Sequence, residues 1–290
     1  MDNLCIGFIG LGLIGGSIAK SIRHVYPGFK IIAFNRSEAP RIAALNDGTA
    51  DSVCDKVDMS FAECDYIFLC TPVEYNSFYL KQLKSIIKDS CIITDVGSTK
   101  TDIHRTVIEH GMEANFIGGH PMAGSEKTGY ANSSSDLLNN AFYAITPTAF
   151  SDNNRLNELV EIVKSIGAVP IILDYEKHDY CVAGISHLPH LIASSLVNLI
   201  KDNDFDDQTM KRLAAGGFKD ITRIASSSPV MWQQICSANA ENLVTLIDRY
   251  IESLQEIKDS LVQKDNTYIQ NMFIKSKSYR DLFSNNTDNV

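Results

Sequence analysis

No two of the seven cysteines (5, 54, 64, 70, 91, 181 and 236) are spaced Cys-x-x-Cys, and most lie inside apolar runs. That pattern excludes a zinc ribbon or a thioredoxin-type pair and suits small buried hydrophobes in a reducing compartment. Long hydrophobic runs are missing as well. None reaches the roughly 18 to 20 apolar residues of a membrane span, and Met1-Asp-Asn-Leu lacks the basic opening of a signal peptide. Positive charge is scarce: 26 Lys and Arg face 35 Asp and Glu, for a net charge of −9, which argues against nucleic acid or an anionic membrane as partner. His178, His187 and His190 have no acid or Cys at ligand spacing, so no metal is expected. No internal repeat is visible. A soluble, cytoplasmic protein is expected.

What is present is ordinary globular composition, 44 % apolar and 21 % charged, in 290 residues, a length that favours two domains. Strand-like segments at 4–9, 30–34, 66–70, 91–94, 115–117, 141–145 and 170–173 alternate with helical patterns at 13–25, 38–46, 75–87, 100–110 and 155–166. Such alternation predicts an α/β Rossmann-type domain with a mostly parallel sheet over residues 1–174. Strand signals then stop. Helices are expected at 176–201, 206–225, 229–262 and 265–282, making 175–283 an all-α domain, followed by a polar tail, 284–290. The stretch His190–Ile200 is apolar on most sides and needs burial on most sides, so a homodimer formed through these helices is expected.

Gly10-Leu11-Gly12-Leu13-Ile14-Gly15 fits the dinucleotide fingerprint in its required context, after a strand and at a helix start. Gly10 permits the tight turn, Gly12 lets a pyrophosphate approach the backbone, and Gly15 lets helix and strand pack closely. The helix N-terminus offers free N–H groups to the phosphates. About 20 residues on, where NAD-binding chains carry an acid for the ribose, stand Asn35, Arg36 and Ser37. Loss of the acid and gain of Arg36 favour NADP, whereas Glu38 would repel a 2′-phosphate and Asn35 can still bond a ribose hydroxyl. NAD and NADP both remain open. Thr71, Pro72 and Ser98 complete the expected cofactor contacts.

A lone His120 sits in the glycine-bracketed segment Gly118-Gly-His-Pro-Met-Ala-Gly-Ser-Glu-Lys-Thr-Gly129, which reads as a loop. One imidazole beside a nucleotide cradle is what hydride transfer with proton removal requires. Polar groups also cluster in Asp95-Val-Gly-Ser-Thr-Lys100, His178–His190 and Gly216–Pro229. Taken in order over residues 4 to about 235, these segments closely resemble the prephenate/arogenate dehydrogenases of tyrosine biosynthesis. The resemblance implies a Rossmann domain followed by a helical dimerisation domain. It also implies oxidative decarboxylation of prephenate to 4-hydroxyphenylpyruvate, or of arogenate to tyrosine. It assigns His120 as the catalytic histidine at the ring hydroxyl and Ser98 as the serine orienting that contact. Arg223 becomes the clamp for a substrate carboxylate. His187 and His190 become active-site histidines, and Glu126 and Asp220 acids lining or gating the pocket. Arg223, Lys100 and Lys127 could supply a positive field that the chain as a whole lacks. Prephenate is the expected substrate, with arogenate the alternative.

Two other readings compete. A 3-hydroxy acid dehydrogenase would be expected to carry a catalytic Lys on the first helix of the second domain, and there is none between His178 and Ile200. A non-catalytic NAD(H) sensor would need the cradle but not His120, Ser98 and Arg223 together. The bland reading of Arg223 is an ordinary helical pair with Asp220 three residues earlier.

Overall fold

Short apolar segments alternating with amphipathic helices lay down five parallel strands in the computed structural model, which describes residues 3–124 and 127–284. These are β1 Cys5–Ile9, β2 Lys30–Phe34, β3 Ser52–Cys54, β4 Tyr66–Leu69 and β5 Ile92–Asp95, in the order β3-β2-β1-β4-β5. The crossovers are α1 Leu13–Val25, α2 Glu38–Asn46, α3 Val73–Lys84 and α4 Thr101–Glu109. Both faces of the sheet are covered, so β1 and β4 are buried along their whole length. Ile6, Phe8 and Phe68 pack toward α1, with Phe8 stacked on Phe68 at 5.2 Å, while Ile9, Ile67 and Leu69 pack with Leu80, Ile103 and Val107 of α3 and α4. Strand order reverses between β1 and β4, which opens a crevice at their carboxyl ends.

A second, three-stranded sheet follows: β6 Ile117–Pro121, β7 Phe142–Pro147 and β8 Val169–Ile172. β6 and β7 are antiparallel, β7 and β8 parallel across α5 Asn153–Ser165. A single parallel bridge, Ile93 to Phe116, links it to the first sheet.

The chain divides into two compact units, Met1–Val182 with Ser227–Ala238, and Ala183–Ser226 with Asn239–Val290. By compactness the first unit runs on to Val182. α6 Tyr175–Val182 is tied to the first unit because Asp179 accepts the backbone N–H groups of Lys100 and Thr101. α10 Pro229–Ala238 belongs to the first unit too, with Gln234 Nε2 donating to Glu74 Oε2 at 2.6 Å.

The second unit holds a π-turn at Ala183–His187, then α7 Leu188–Asn203, α8 Thr209–Leu213, α9 Gly216–Thr222, α11 Ala240–Gln263 and α12 Asn266–Asp281. Three expected long helices are thus interrupted. The 176–201 helix carries the π-turn, 206–225 breaks at Ala214-Ala215, and 229–262 breaks at Asn239. No uninterrupted apolar run has the length of a membrane span, but averaged hydropathy singles out one helix among the described residues. Helical residues Tyr175–Asn203 reach a mean hydropathy of 1.3 over an 18-residue window that is only 22 % buried, long and apolar enough by composition to cross a bilayer. Counting uninterrupted apolar runs missed it, because His, Ser and Asn interrupt the run without lowering the average much. Val244, Ile251, Leu254 and Leu261 also stand exposed on α11, at the seven- and three-residue spacing of a packing seam.

Candidate active site

The first unit builds the glycine turn as its spacing demands. Gly10 has φ = 105°, and a Cβ there would lie 2.9 Å from the Cys70 carbonyl oxygen. A side chain at Gly15 would collide with the Gly10 carbonyl and the Cys70 Cβ, so only glycine lets α1 pack this close to β4. A Cβ at Gly12 would meet no atom within 4 Å, which is the open approach a pyrophosphate needs. The first turn of α1 carries no acidic residue and no capping side chain, leaving its N–H groups to an anion.

A cavity of about 240 Å³ adjoins this turn, lined by Gly10, Gly12, Asn35, Arg36, Ser37, Thr71 and Pro72, with Tyr75 and Tyr79. The residues present therefore fit a dinucleotide. Asn35, in the cavity lining, also holds the turn itself. Its Oδ1 accepts the Leu11 N–H at 3.0 Å and its Nδ2 donates to the Ser37 carbonyl at 3.2 Å, so it braces the glycine turn.

At the carboxyl end of β5, Asp95 and Lys100 form an ion pair in which both side chains are fully buried. Lys100 Nζ also donates to the Gly119 carbonyl at 2.7 Å, while Asp95 Oδ1 accepts Gly119 N–H at 3.1 Å and Oδ2 accepts Gly97 N–H at 2.8 Å. Burial pushes the Lys100 ammonium below its usual range, with Asp95 and Asp179 opposing. Fully buried and paired with Asp95, Lys100 is not the accessible cation expected of it. It clamps β6 onto β5.

His120 lies one residue beyond that clamp, in β6 and not in a loop, paired with Ala144 of β7 and half-buried. Gly118 and Gly119 suggested a turn because glycine is the usual turn residue. Here they answer crowding: a Cβ on Gly119 would sit 2.6 Å from the Asp95 carbonyl oxygen and 2.9 Å from Thr94 Oγ1. Ser98, also half-buried, leaves the other side of the same clamp, three residues after Asp95.

Behind His120 runs a chain that sequence reasoning did not find. His120 Nδ1 is 2.9 Å from His178 Nε2, and His178 Nδ1 is 2.8 Å from Asp179 Oδ1. His178 and Asp179 are 2 % and 0 % exposed. Asp179 receives the Lys100 and Thr101 N–H groups at 2.8 Å each. The only sequence signal was the His178-Asp179 dipeptide, which by itself looks like any polar pair on a helix. Close by, His104 is held at 2.9 Å from Thr146 Oγ1, stacked on Tyr175 and edge-on to Phe116; burial pushes its pKa down to about 4. Among the described residues no three His, Cys, Asp or Glu side chains converge as metal ligands.

The remaining candidates lie in the second unit. His187 is buried, 3.2 Å through Nδ1 from Asn239 Nδ2, and His190 Nδ1 donates to the Ser186 carbonyl at 2.9 Å. Asp220 and Arg223 are both exposed, and no ion pair joins them among the described residues, so the helical pair is not formed. Glu126 lies outside the described residues.

Comparison with known proteins finds the family "Prephenate dehydrogenase, nucleotide-binding domain" over residues 18–172 and "Prephenate dehydrogenase, dimerization domain" over 174–275. A prephenate dehydrogenase of Bacillus subtilis is 38 % identical over 278 residues, 94 % of this chain and 74 % of that protein. Among solved structures, prephenate dehydrogenase from A. aeolicus, in complex with hydroxyphenyl propionate and NAD+, superposes with a TM-score of 0.89 at 29 % identity, covering 98 % of this chain and 99 % of that one. Synechocystis arogenate dehydrogenase gives 0.88 at 28 % identity, covering 97 % and 100 %.

Proposed function

The chain belongs to the prephenate dehydrogenase family, and from that premise we propose that it oxidatively decarboxylates prephenate to 4-hydroxyphenylpyruvate with NAD as hydride acceptor. Bound in the Gly10–Gly15 cradle, NAD supplies an electrophilic nicotinamide ring for the hydride. The chain's own residues handle the proton and the charges. His120 accepts the proton of the ring hydroxyl while hydride leaves the same carbon. The carboxylate carbon then departs as carbon dioxide, its bonding electrons complete the aromatic ring, and His120 returns the proton to the phenolate oxygen. Ser98 orients the hydroxyl, and Arg223 holds a carboxylate with a planar two-point contact. By the same family resemblance, His187, His190, Asp220 and Glu126 are assigned to substrate binding.

The observation that carries this reading is the setting of His120. It is half-buried, one residue from a buried ion pair at the carboxyl end of β5, with its Nδ1 already engaged by His178. A base must be held in a fixed direction, and a loop histidine bonded to random backbone would not be built in from behind.

NAD is preferred over NADP because a 2′-phosphate would meet Glu38 in the first turn of α2, against the pull of Arg36 in the cavity lining. The A. aeolicus relative, solved with NAD+, supports the same choice. The exposed apolar residues of α11 and the name of the matching helical family support a homodimer. The test is absorbance at 340 nm with purified protein, prephenate or arogenate, and NAD or NADP. Prephenate with NAD should give the highest kcat/KM. A faster reaction with arogenate would replace the substrate, and an NADP preference abolished by Arg36→Ala would replace the cofactor.

A further inference from the structure

We propose that Asp179 and His178 set the tautomer of His120, so that Nε2 carries the lone pair that meets the reacting hydroxyl. The inference rests on the reading of His120 as the base. Its starting point is a carboxylate that has no proton to give. Asp179 accepts Lys100 N–H on Oδ1 and Thr101 N–H on Oδ2, at the start of α4, where the helix dipole favours an anion. Burial pushes this carboxyl up, but the bonds from His178, Thr101 and Lys100 outweigh it and hold the pKa below the usual carboxylate range.

His178 Nδ1, 2.8 Å from Asp179 Oδ1, must then be the N–H end of its ring. A neutral imidazole has one N–H and one acceptor, so His178 Nε2 accepts. His120 Nδ1 lies 2.9 Å from that acceptor and therefore donates, which makes His120 Nε2 the unprotonated nitrogen of its neutral ring. Three hydrogen-bond steps thus propagate from the start of α4 to the base, each leaving one choice for the next.

Protonation of His120 in the reaction leaves every bond in this chain as it was. Nδ1–H goes on donating, and the new positive charge faces a buried anion through one intervening ring. The donors and acceptors are already in place when the charge develops, so no reorganisation is needed at that moment. His178 and Asp179 are positioning residues: they act on the substrate only through His120. Lys100 ties them to the clamp, since its backbone N–H holds Asp179 while its ammonium holds Gly119.

The decisive experiment uses the full-length wild-type protein labelled with ¹⁵N-histidine, read by long-range ¹H–¹⁵N correlation near pH 8. His120→Asn and His178→Gln spectra assign the two rings. Both rings should be protonated on Nδ1. In parallel, Asp179→Asn would turn an amide N–H toward one of the donors it faces, and should lower kcat by about 10²-fold or more while KM for prephenate moves less than about threefold. His178→Gln, whose Oε1 can still accept from His120 Nδ1, should retain about tenfold more kcat than His178→Ala. An Nε2–H tautomer of His120 in the wild-type spectrum overturns the proposal whatever the variants do. So does a kcat for His178→Ala within about threefold of wild type. Retention of kcat by His120→Asn would instead remove the base assignment, and the spectrum would still report the tautomer.

Discussion

Replacing Lys100 by Met tests whether the clamp between β5 and β6 is electrostatic. Both partners of the Lys100–Asp95 pair are fully buried. Met fills most of the lysine volume but leaves the Asp95 carboxylate in the interior with only the Gly97 and Gly119 N–H groups to bond, and strips the Gly119 carbonyl of the ammonium. Removing one member of a buried pair typically destabilises by about 3–5 kcal/mol, and the lost donor to Gly119 falls inside that range. Urea unfolding at neutral pH and fixed protein concentration would read the loss as a shift in midpoint. The double variant Asp95→Asn/Lys100→Met removes the stranded charge while keeping a carbonyl for one of the two amides, so it should recover about half of the loss or more. NAD affinity should fall far less than kcat, because the glycine turn lies on β1 and α1 and Ser98 alone of the expected cofactor contacts adjoins the clamp. kcat should fall, because the strand carrying His120 has lost its anchor. A single variant that loses less than about 1 kcal/mol, or a double variant no more stable than the single, would refute an electrostatic clamp.

His104 offers a pH prediction. Its folded pKa of about 4 lies below the unfolded value, so between about pH 6.5 and 4 the unfolded chain binds a proton that the folded chain does not. Stability should therefore fall as pH drops from 7 to 5, by about 2 kcal/mol from this residue, and His104→Gln should flatten that part of the profile. Gly15→Val forces α1 away from the Gly10 carbonyl and Cys70, and should weaken NAD binding by about tenfold or more in a fluorescence titration; unchanged affinity would show that the close packing is dispensable. His120→Asn should lower kcat by about 10²–10⁴-fold with little change in KM, whereas Arg223→Ala should act mainly on KM. Steady-state kinetics exchanging those two phenotypes would reverse the roles.

Much of the fold was legible because its signals are local. Gly10, Gly12 and Gly15 announce the cradle within six residues, and four of the five parallel strands are apolar runs bounded by polar ones. β3 escaped because Ser52-Val53-Cys54 is too short to show alternation. The helix break at Asn239 has no Pro or Gly to mark it, and the π-turn at Ala183–His187 inserts into an unbroken helical pattern. The site was legible only in part. His120 was singled out but placed in a loop, since glycines required for close strand approach look like glycines required for a turn. Lys100 looked like a cation for a ligand because its partner, Asp95, became visible as a buried counter-charge only in three dimensions. His178 comes to His120 across 58 residues, and nothing in either local segment announces the meeting.

The dinucleotide cradle and His120 stand on different sheets, sewn together by the Ile93–Phe116 bridge and the Asp95–Lys100–Gly119 clamp. In evolutionary terms this makes the two halves of the chemistry separately mutable. A descendant could exchange His120, or let the three-stranded sheet drift, and still inherit an intact nucleotide-binding half. The step from an enzyme of this kind to a protein that only senses the ratio of oxidised to reduced dinucleotide is correspondingly short. It requires substitutions on one side of the seam and none on the other.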